Sequence, residues 1–595
     1  YYKCLWLEGI LCNFDEEKRI ARMKESIESR LYSIRRWMAG LSEPLDALVV
    51  PTMDPHNSEY VAEHWQMRRW LTGFTGSAGL AIVTPAHALL WTDSRYWLQA
   101  EEQLTDTPFV LMREGEDVSP HQWIADNVTG RVGFPEDMMV PMLYDELFAG
   151  CDVCPVPANA LDFIWTDRPS LPFSEAEIVP VDIAGEDAST RLLRVVEWLK
   201  ERKRDSLFVS DLAEVCWMLN LRACDIPYNP FLISFLQVNC HCPHVLYVHS
   251  EQITESVKEF LSEMNVMLAP YAEGMALRLK MLGEVEPENP IAMMKVLKNA
   301  TEQEGFRAAH IRDGLAMVRF LRKLDEEQGD DWTELSAEAE LTRLRAQQPG
   351  FKGLSFETIS AFGPHAAIVH YEPSAETNVP LRREDGGGLF LLDSGAHYDC
   401  GTTDITRTVA LGTLTEEEKI SYTLVLKGHL QLQNMIFPDG TTGLQLDTVA
   451  RMSMWRMGYD YGHGTGHGVG FRLGVHEGPL QIRKNYRLCT VLPFRAGQVI
   501  TDEPGIYVAG KFGIRIENML LCVPKADTDF GSFLCFEPLT MCPYDLRPIV
   551  IHMLTDEELG WLNDYHQEVR RKLLPYLTDE ADREWLLHAT MPLER

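Results

Sequence analysis

Tyr461-Gly-His-Gly-Thr-Gly-His-Gly-Val-Gly470 decides how this chain is read, because of what lies on either side of its two glycine-flanked histidines. Upstream, a strand-like run Leu389-Phe-Leu-Leu-Asp393-Ser-Gly is followed by Gly401-Thr-Thr-Asp404-Ile-Thr-Arg407. Downstream, Val499-Ile-Thr-Asp-Glu503-Pro-Gly is followed by Phe512-Gly-Ile-Arg-Ile-Glu517-Asn518. A turn with Gly395 and Gly401 separates Asp393 from Asp404, and one with Gly505, Gly510 and Gly513 separates Glu503 from Glu517. Each hairpin aims two carboxylates at one point, and the two hairpins look like halves of a duplicated sheet.

Converging carboxylates repel one another, and the repulsion raises their pKa values unless cations neutralise them. Two divalent ions balance four carboxylates, so Asp393, Asp404, Glu503 and Glu517, with one imidazole, form the donor set of a two-metal site. Oxygen-rich donors without a thiolate suit Mn²⁺, Mg²⁺ or Co²⁺ better than a structural zinc. Two such ions about 3.5–4 Å apart can hold a bridging hydroxide and polarise a carbonyl, which is the chemistry of amide hydrolysis. Singly, each motif is weak: a strand Asp is often a turn anchor, and Glu-Pro-Gly is often only a β-turn. Their combination carries the reading.

At 595 residues the chain exceeds one hydrophobic core and implies several domains. Its 45% hydrophobic and 24% charged residues are those of a globular protein. A net charge of −33 argues strongly against a nucleic-acid-binding surface, which needs clustered Lys and Arg. The 13 cysteines are odd in number and scattered, which fits a reducing cytoplasm rather than a disulfide framework. Cys151-Asp-Val-Cys154 has no partner pair, and Cys240-His-Cys242-Pro-His244 is read as chance clustering in a loop. No apolar run reaches membrane-spanning length, and residues 1–14, greasy but broken by Glu8, make a poor signal peptide.

Three blocks follow one another. The first has a helix over 16–40, with apolar residues at Ile20, Met23, Ile27, Leu31 and Ile34, then strand-like 45–50 and a hairpin of 80–83 with 88–92. It closes near Pro169, in a proline-rich stretch. The second repeats the helix-then-strand order, with a helix over 188–204 and strands at 206–209, 244–248 and 266–268, so the two are expected to share a fold. The third opens with a long helix to Leu324 and carries every chemical motif. Helices over 416–434, 443–457 and 556–574 and strands at 389–393, 404–411, 498–501 and 514–523 make it an α+β domain. Arg515, two residues before Glu517 on the last of these strands, is expected on the same face and beside that carboxylate.

Asp393-Ser-Gly, Asp404-Ile-Thr-Arg, Gly462-His-Gly-Thr-Gly-His467-Gly-Val-Gly, Asp502-Glu-Pro-Gly and Gly513-Ile-Arg-Ile-Glu517-Asn closely resemble the M24 "pita-bread" metallopeptidases. Ser58-Glu-Tyr60, Gly76-Ser-Ala-Gly79, Trp91-Thr-Asp-Ser-Arg95-Tyr, Trp165-Thr-Asp-Arg-Pro169 and Phe536-Glu-Pro-Leu-Thr540 are similar to the long, three-domain cytosolic-type aminopeptidases P within them. The resemblance covers nearly the whole chain. It implies a C-terminal pita-bread catalytic domain (297–595) behind two related α/β creatinase-like domains (15–168 and 169–296). It also implies two divalent ions per subunit, Mn²⁺ foremost with Co²⁺ or Zn²⁺ as alternatives, and a cytoplasmic homodimer joined through the catalytic domain.

Position by position, the resemblance implies that Asp393 chelates one ion, Asp404 and Glu517 bridge both, and His467 and Glu503 complete the second. His370 and His476 match positions that hold substrate, His463 matches a proton-moving histidine, and Arg95 matches a residue that closes the substrate site. The substrate-facing set is thus Arg95, His370, His467, His476 and Arg515, and the catalytic set His463, Glu503, His370 and His476. His365 and His241 match no family role and are read as structural. The implied reaction releases the N-terminal residue from peptides with proline second, without nucleic acid or membrane as partner. A prolidase, which accepts only Xaa-Pro dipeptides, and a non-catalytic pita-bread binding module are the competing readings.

Overall fold

Helices form here where the apolar period is helical and the ends are capped. The first, α1 (Cys12–Gly40), buries Ile27, Leu31, Ile34 and Met38 along one stripe. The computed structural model describes residues 12–284, 288–327, 332–382, 387–486 and 491–595, so most of the apolar opening segment lies outside the described residues. The described residues fall into two compact units, Tyr1–Pro172 with Tyr271–Pro287, and Phe173–Pro270 with Glu288–Arg595.

The first unit is built on a six-stranded sheet of β1 (Ala47–Pro51), β2 (Leu80–Val83), β3 (Ala88–Thr92), β4 (Val110–Arg113), β5 (Val132–Pro135) and β6 (Val153–Val156). Their spatial order is β4-β3-β2-β1-β5-β6. The hairpin expected from the sequence is β2–β3, paired from Leu80↔Trp91 to Val83↔Ala88. β1 and β2 pair antiparallel, as do β2 and β3, whereas β3 and β4 are parallel.

In the second unit, Asp187 caps α2 (Ala188–Glu201), accepting from the Thr190 N–H, and Leu192, Val195 and Leu199 are buried. Strands β7 (Ser206–Val209), β8 (Phe235–Asn239), β9 (His244–Val248) and β10 (Val266–Pro270) follow. Their pairings run antiparallel, antiparallel, parallel, the order seen across β1–β4. The shared element order is therefore a shared sheet topology, to which the first unit adds β5 and β6 beyond β1.

The rest of this unit carries the chemistry. Asn299 and Glu302 form a capping box on α3 (Ala300–Glu326), which is followed by α4 (Glu334–Ala346). A three-stranded sheet orders β11 (Ile359–Phe362), β12 (Gly387–Ser394) and β13 (Ile405–Gly412). Helix α5 (Glu416–Gln433) then leads through β14 (Ile436–Pro438) to α6 (Gly443–Trp455). The remaining strands are β15 (Gly466–Gly468), β16 (Glu477–Ile482), β17 (Val499–Asp502), β18 (Gly505–Val508), β19 (Phe512–Arg515), β20 (Asn518–Thr528) and β21 (Gly531–Pro538), before α7 (Asp556–Leu573). Six of the strands form a sheet in the order β14-β21-β20-β17-β15-β16, and β18–β19 form a separate ribbon. All eight residues of β12 are buried, and Leu389 joins Val425, Leu430, Ile506, Ile514, Ile516 and Leu562 in one core. Each such side chain contributes about 1.5–3 kcal/mol on burial.

Buried ion pairs join the segment before α3 to the catalytic strands. The ammonium groups of Lys295 and Lys298 both hold the Glu477 carboxylate at the start of β16, the first at 2.8 Å. Arg222, also buried, donates to the carbonyls of Phe471 and Arg472 just upstream. Among the described residues no helix is long and apolar enough to cross a membrane.

Candidate metal centre

Asp393 sits near the end of β12, opposite Thr406 of β13, and Asp404 lies immediately before β13. On the other side, the chain leaves the six-stranded sheet after Asp502, passes Glu503 and Pro504, and enters the β18–β19 ribbon. The returning chain makes the same transfer at Ile516–Glu517. Residues 514–523, expected as one strand, are therefore two strands in two sheets. Pro504 lacks the N–H that a continuous ladder needs, so both strands break at one level. Neighbouring strands hold the corners instead: the Glu503 N–H donates to Thr465 O at 2.8 Å, and the Glu517 N–H to Thr406 O at 3.1 Å.

His467 occupies the middle of β15. A Cβ on Gly466 would collide with the Thr501 carbonyl, and one on Gly468 with that of Glu477. Only glycine lets the histidine strand approach both neighbours this closely. His467 Nδ1 lies 3.0 Å from the Gly468 carbonyl, which assigns the ring proton to Nδ1 and turns Nε2 toward the carboxylates. Nε2 stands 3.6 Å from Asp404 Oδ2 and 3.6 Å from Glu503 Oε1. Donor atoms of Asp404, His467 and Glu517 all lie within 4.8 Å of one another.

The electrostatics of this cluster are those of an ion site. Burial, and then the neighbouring carboxylates, hold Asp404 and Glu517 well above the ordinary carboxylate range. Burial likewise pushes Glu503 up to about 7, with Arg515 opposing the shift and Asp393 adding to it. Asp393 Oδ1 is buried and has no hydrogen-bond partner among the described residues. An orphaned carboxylate oxygen beside three crowded acidic groups and an imidazole fits oxygen- and nitrogen-coordinated divalent ions.

Arg515 hydrogen-bonds to Asp393 rather than to Glu517, Nη2 to Oδ2 at 2.6 Å and Nε to Oδ2 at 3.1 Å, while its positive charge still acts on Glu517. Glu517 is met by Thr406, whose hydroxyl donates to Oε2 at 2.8 Å. Two contributors were not singled out from sequence, Thr406 and Tyr507. The Tyr507 hydroxyl takes a hydrogen bond from Arg515 Nη1 at 2.7 Å and lies 2.8 Å from His463 Nε2. His463 Nδ1 in turn lies 3.9 Å from Glu503 Oε2. Asp393, Arg515, Tyr507, His463 and Glu503 thus form one line around the cluster. The only sequence signal for Tyr507 is strand alternation after the Glu503-Pro-Gly turn.

The His476 ring packs edge-on against His467, with centroids 4.2 Å apart. His370 follows Val369, whose carbonyl accepts from Arg515 Nη2 at 3.4 Å. His365, read as structural, sits 2.9 Å from the buried carboxylate of Glu334 and stacks on Tyr371. Arg95 belongs to the first unit, where Asp93 holds its guanidinium bidentately, Nε to Oδ1 at 2.8 Å and Nη2 to Oδ2 at 2.7 Å.

Carboxylates and an imidazole crowded at the corners between two sheets define a metallohydrolase centre. The chain belongs to metallopeptidase family M24, in its long aminopeptidase P branch. The family model matches residues 304–524, and that for the C-terminal region of these peptidases matches 532–593. Creatinase/prolidase N-terminal domains match 30–163 and 167–284. Aminopeptidase P1 of Lotus japonicus is 36% identical over 95% of this chain and 100% of its own. Aminopeptidase P2 of Arabidopsis thaliana is 36% identical, covering 98% and 90% respectively. The crystal structure of X-prolyl aminopeptidase from Caenorhabditis elegans, described as a cytosolic enzyme with a di-nuclear active site, superposes with a TM-score of 0.89 at 33% identity. That match covers 95% of this chain and 100% of the other.

Proposed function

We propose that this protein is a two-metal aminopeptidase that releases the N-terminal residue from peptides with proline in second position. The observation that carries the reading is the convergence of Asp404, His467 and Glu517 in a chain 36% identical, over 95% of its length, to an aminopeptidase P. Asp393, Asp404, His467, Glu503 and Glu517 hold two divalent ions, Mn²⁺ being the best match to an oxygen-rich donor set. When bound, the ions supply an activated hydroxide and Lewis acidity at the scissile carbonyl.

The chain's own groups do the rest. Arg515 fixes Asp393 with two hydrogen bonds to Oδ2, so that Oδ1, buried without a hydrogen-bond partner among the described residues, would be the oxygen to hold an ion. Glu503 carries the proton between nucleophile and leaving nitrogen, and His463, anchored on Tyr507, stands beside it. His370 or His476 donates to the substrate carbonyl as it gains negative charge. Arg95 holds the peptide beyond the proline. Proline leaves as a ring nitrogen from a tertiary amide, which offers no N–H for an ordinary aminopeptidase to grip.

Residues 15–168 and 169–296 act as two creatinase-type domains and 297–595 as the catalytic domain. The working form is a cytoplasmic homodimer joined through the catalytic domain, and light scattering should give twice the 67.8 kDa chain mass. The deciding assay compares Xaa-Pro-Yaa, Xaa-Pro and Xaa-Ala-Yaa peptides with and without Mn²⁺. Cleavage of Xaa-Pro-Yaa alone, dependent on metal, is expected. Cleavage of Xaa-Pro dipeptides with Xaa-Pro-Yaa untouched would make the protein a prolidase.

A further inference from the structure

Asp502 and Asn518 face each other in the last paired rung of β17 and β20. Each is the chain neighbour of a corner carboxylate, Glu503 and Glu517 respectively. Beyond that rung the ladder is interrupted over Glu503–Pro504 and Ile516–Glu517, where only the Ile516 N–H to Pro504 O bond at 3.4 Å crosses, before pairing resumes at Gly505↔Arg515.

A directed line of buried hydrogen bonds runs behind this interruption. Asn518 Oδ1 accepts from Arg407 Nη2 at 2.8 Å, which fixes the amide orientation and leaves Nδ2 to donate. Nδ2 donates to the Tyr544 hydroxyl oxygen at 2.7 Å and to Gln433 Oε1 at 2.7 Å. Of the two acceptors within reach of the Tyr544 O–H, His429 Nε2 at 2.8 Å is nearer than Gln433 Oε1 at 3.4 Å, and the O–H donates to it. The network thereby assigns the imidazole proton to Nδ1. Nδ1 lies 3.1 Å from the Asp502 carbonyl oxygen and 3.2 Å from its Oδ2. His429 and Asp502 are fully buried, and apart from this contact the Asp502 carboxylate has no partner among the described residues.

The line is costly to bury unless it serves a purpose, because each polar group must find a partner away from water. Helix α5 otherwise turns Val425, Leu426 and Leu430 into the core, so an apolar residue at 429 would continue the pattern.

We propose that His429 and Tyr544 are positioning residues of the metal site. They tie the Asp502–Glu503 corner to the Glu517–Asn518 corner and so set the separation of the two carboxylates and the affinity for divalent ions. The inference rests on the two-ion reading given above. Residues that orient ligands from behind typically change metal affinity or activity by about 10–100-fold when replaced.

The test uses the full-length chain, stripped of metal and titrated with Mn²⁺, in Tyr544→Phe and His429→Asn. Both are expected to bind Mn²⁺ about 10–100-fold more weakly than wild type. Excess Mn²⁺ should restore most of kcat and leave the peptide KM unchanged. Lys427→Met on the same helix is the control, since Lys427 ties α5 to Met553 O and to Glu558 rather than to the corners. It should lower the melting temperature without changing Mn²⁺ affinity. Wild-type affinity in Tyr544→Phe, or an equal loss in Lys427→Met, would overturn the proposal. Tyr544→Phe removes a single oxygen and decides the matter even if His429→Asn fails to fold. Wild-type protein that takes up no pair of Mn²⁺ ions would overturn the two-ion reading and this inference with it. A failure of proline specificity alone would leave the tie standing.

Discussion

Acidification should strip ions from this site while relieving the ion-free protein of a repulsion, and both effects come from the same crowded carboxylates. Burial pushes Glu503 up to about 7, from 4.5 when unfolded. A carboxyl raised in this way binds its proton more tightly folded than unfolded. It therefore penalises the ion-free fold above about pH 7, and the penalty fades as the pH falls through that value. Between about pH 8 and about pH 6 Glu503 passes from mostly deprotonated to mostly protonated, a change worth on the order of 1 kcal/mol of added stability. Ion binding requires the deprotonated form, so the same titration weakens apparent Mn²⁺ affinity about tenfold. Asp404 and Glu517, also held well above the ordinary carboxylate range, act in the same direction. Calorimetric titration of metal-free protein at both pH values, in buffers of different ionisation heat, should show weaker binding at the lower pH and proton release on uptake. Buried His310, His397 and His566, held down to about 4, 4 and 3 by burial, oppose this over the same interval, so thermal melts of the chelated protein should be compared with those of Glu503→Gln, relative to which wild type should gain stability in acid. Equal affinity at both pH values without proton release, or the same pH shift of melting in wild type and Glu503→Gln, would refute the reasoning.

Asp404→Ala should abolish activity and bring metal content close to zero, because Asp404 faces both the imidazole and the other acidic groups; near-normal Mn²⁺ by elemental analysis would contradict its role. His467→Ala should lose mainly one ion and most of its turnover. The Ala variants of His463, His370 and His476 should keep both ions and lose turnover, and an equal metal loss in all three would make them ligands instead. Arg95→Lys and Arg95→Ala should weaken Xaa-Pro-Yaa cleavage about tenfold to a hundredfold with both ions retained, the effect of losing a charge-assisted hydrogen bond of about 1.5–3 kcal/mol. Peptide kinetics at saturating Mn²⁺ check this, and unchanged kcat/KM in Arg95→Ala would remove Arg95 from the substrate site.

The carboxylate pairs were legible from sequence because glycine spacing and strand alternation act within a few residues, and Asp404, His467 and Glu517 do converge. The common topology of the first two blocks was also legible, as a repeated order of helix and strands. The partner of Arg515 was not. Its assignment followed the alternation of one strand, whereas the ladder is interrupted at Pro504 and the guanidinium finds its hydrogen-bond partner, Asp393, on a strand of another sheet. Strand periodicity describes one chain segment at a time and carries no information about a break imposed by its neighbour. Tyr507 and Thr406 were hidden for the same reason: each acts through a residue from another strand. Glu334 is a further case. Its buried carboxylate gathers the Phe362 N–H, His365 and Tyr371, groups that lie 28–37 residues away.

The two lysines on Glu477 bear on how this enzyme can be cut and recombined. The family match begins at residue 304, which invites use of the remainder as a free-standing cassette. Lys295 and Lys298 both precede that point, and such a fragment would keep Glu477 in the interior with neither ammonium beside it. Stripping a buried charge of its partner typically costs about 3–5 kcal/mol, a large share of the stability of an ordinary domain. Grafts and expression fragments should therefore start upstream of Lys295 and carry Arg222, whose guanidinium holds the Phe471 and Arg472 carbonyls. Sequence similarity marks where a catalytic segment can be recognised, and here the interior charges put the workable cut elsewhere.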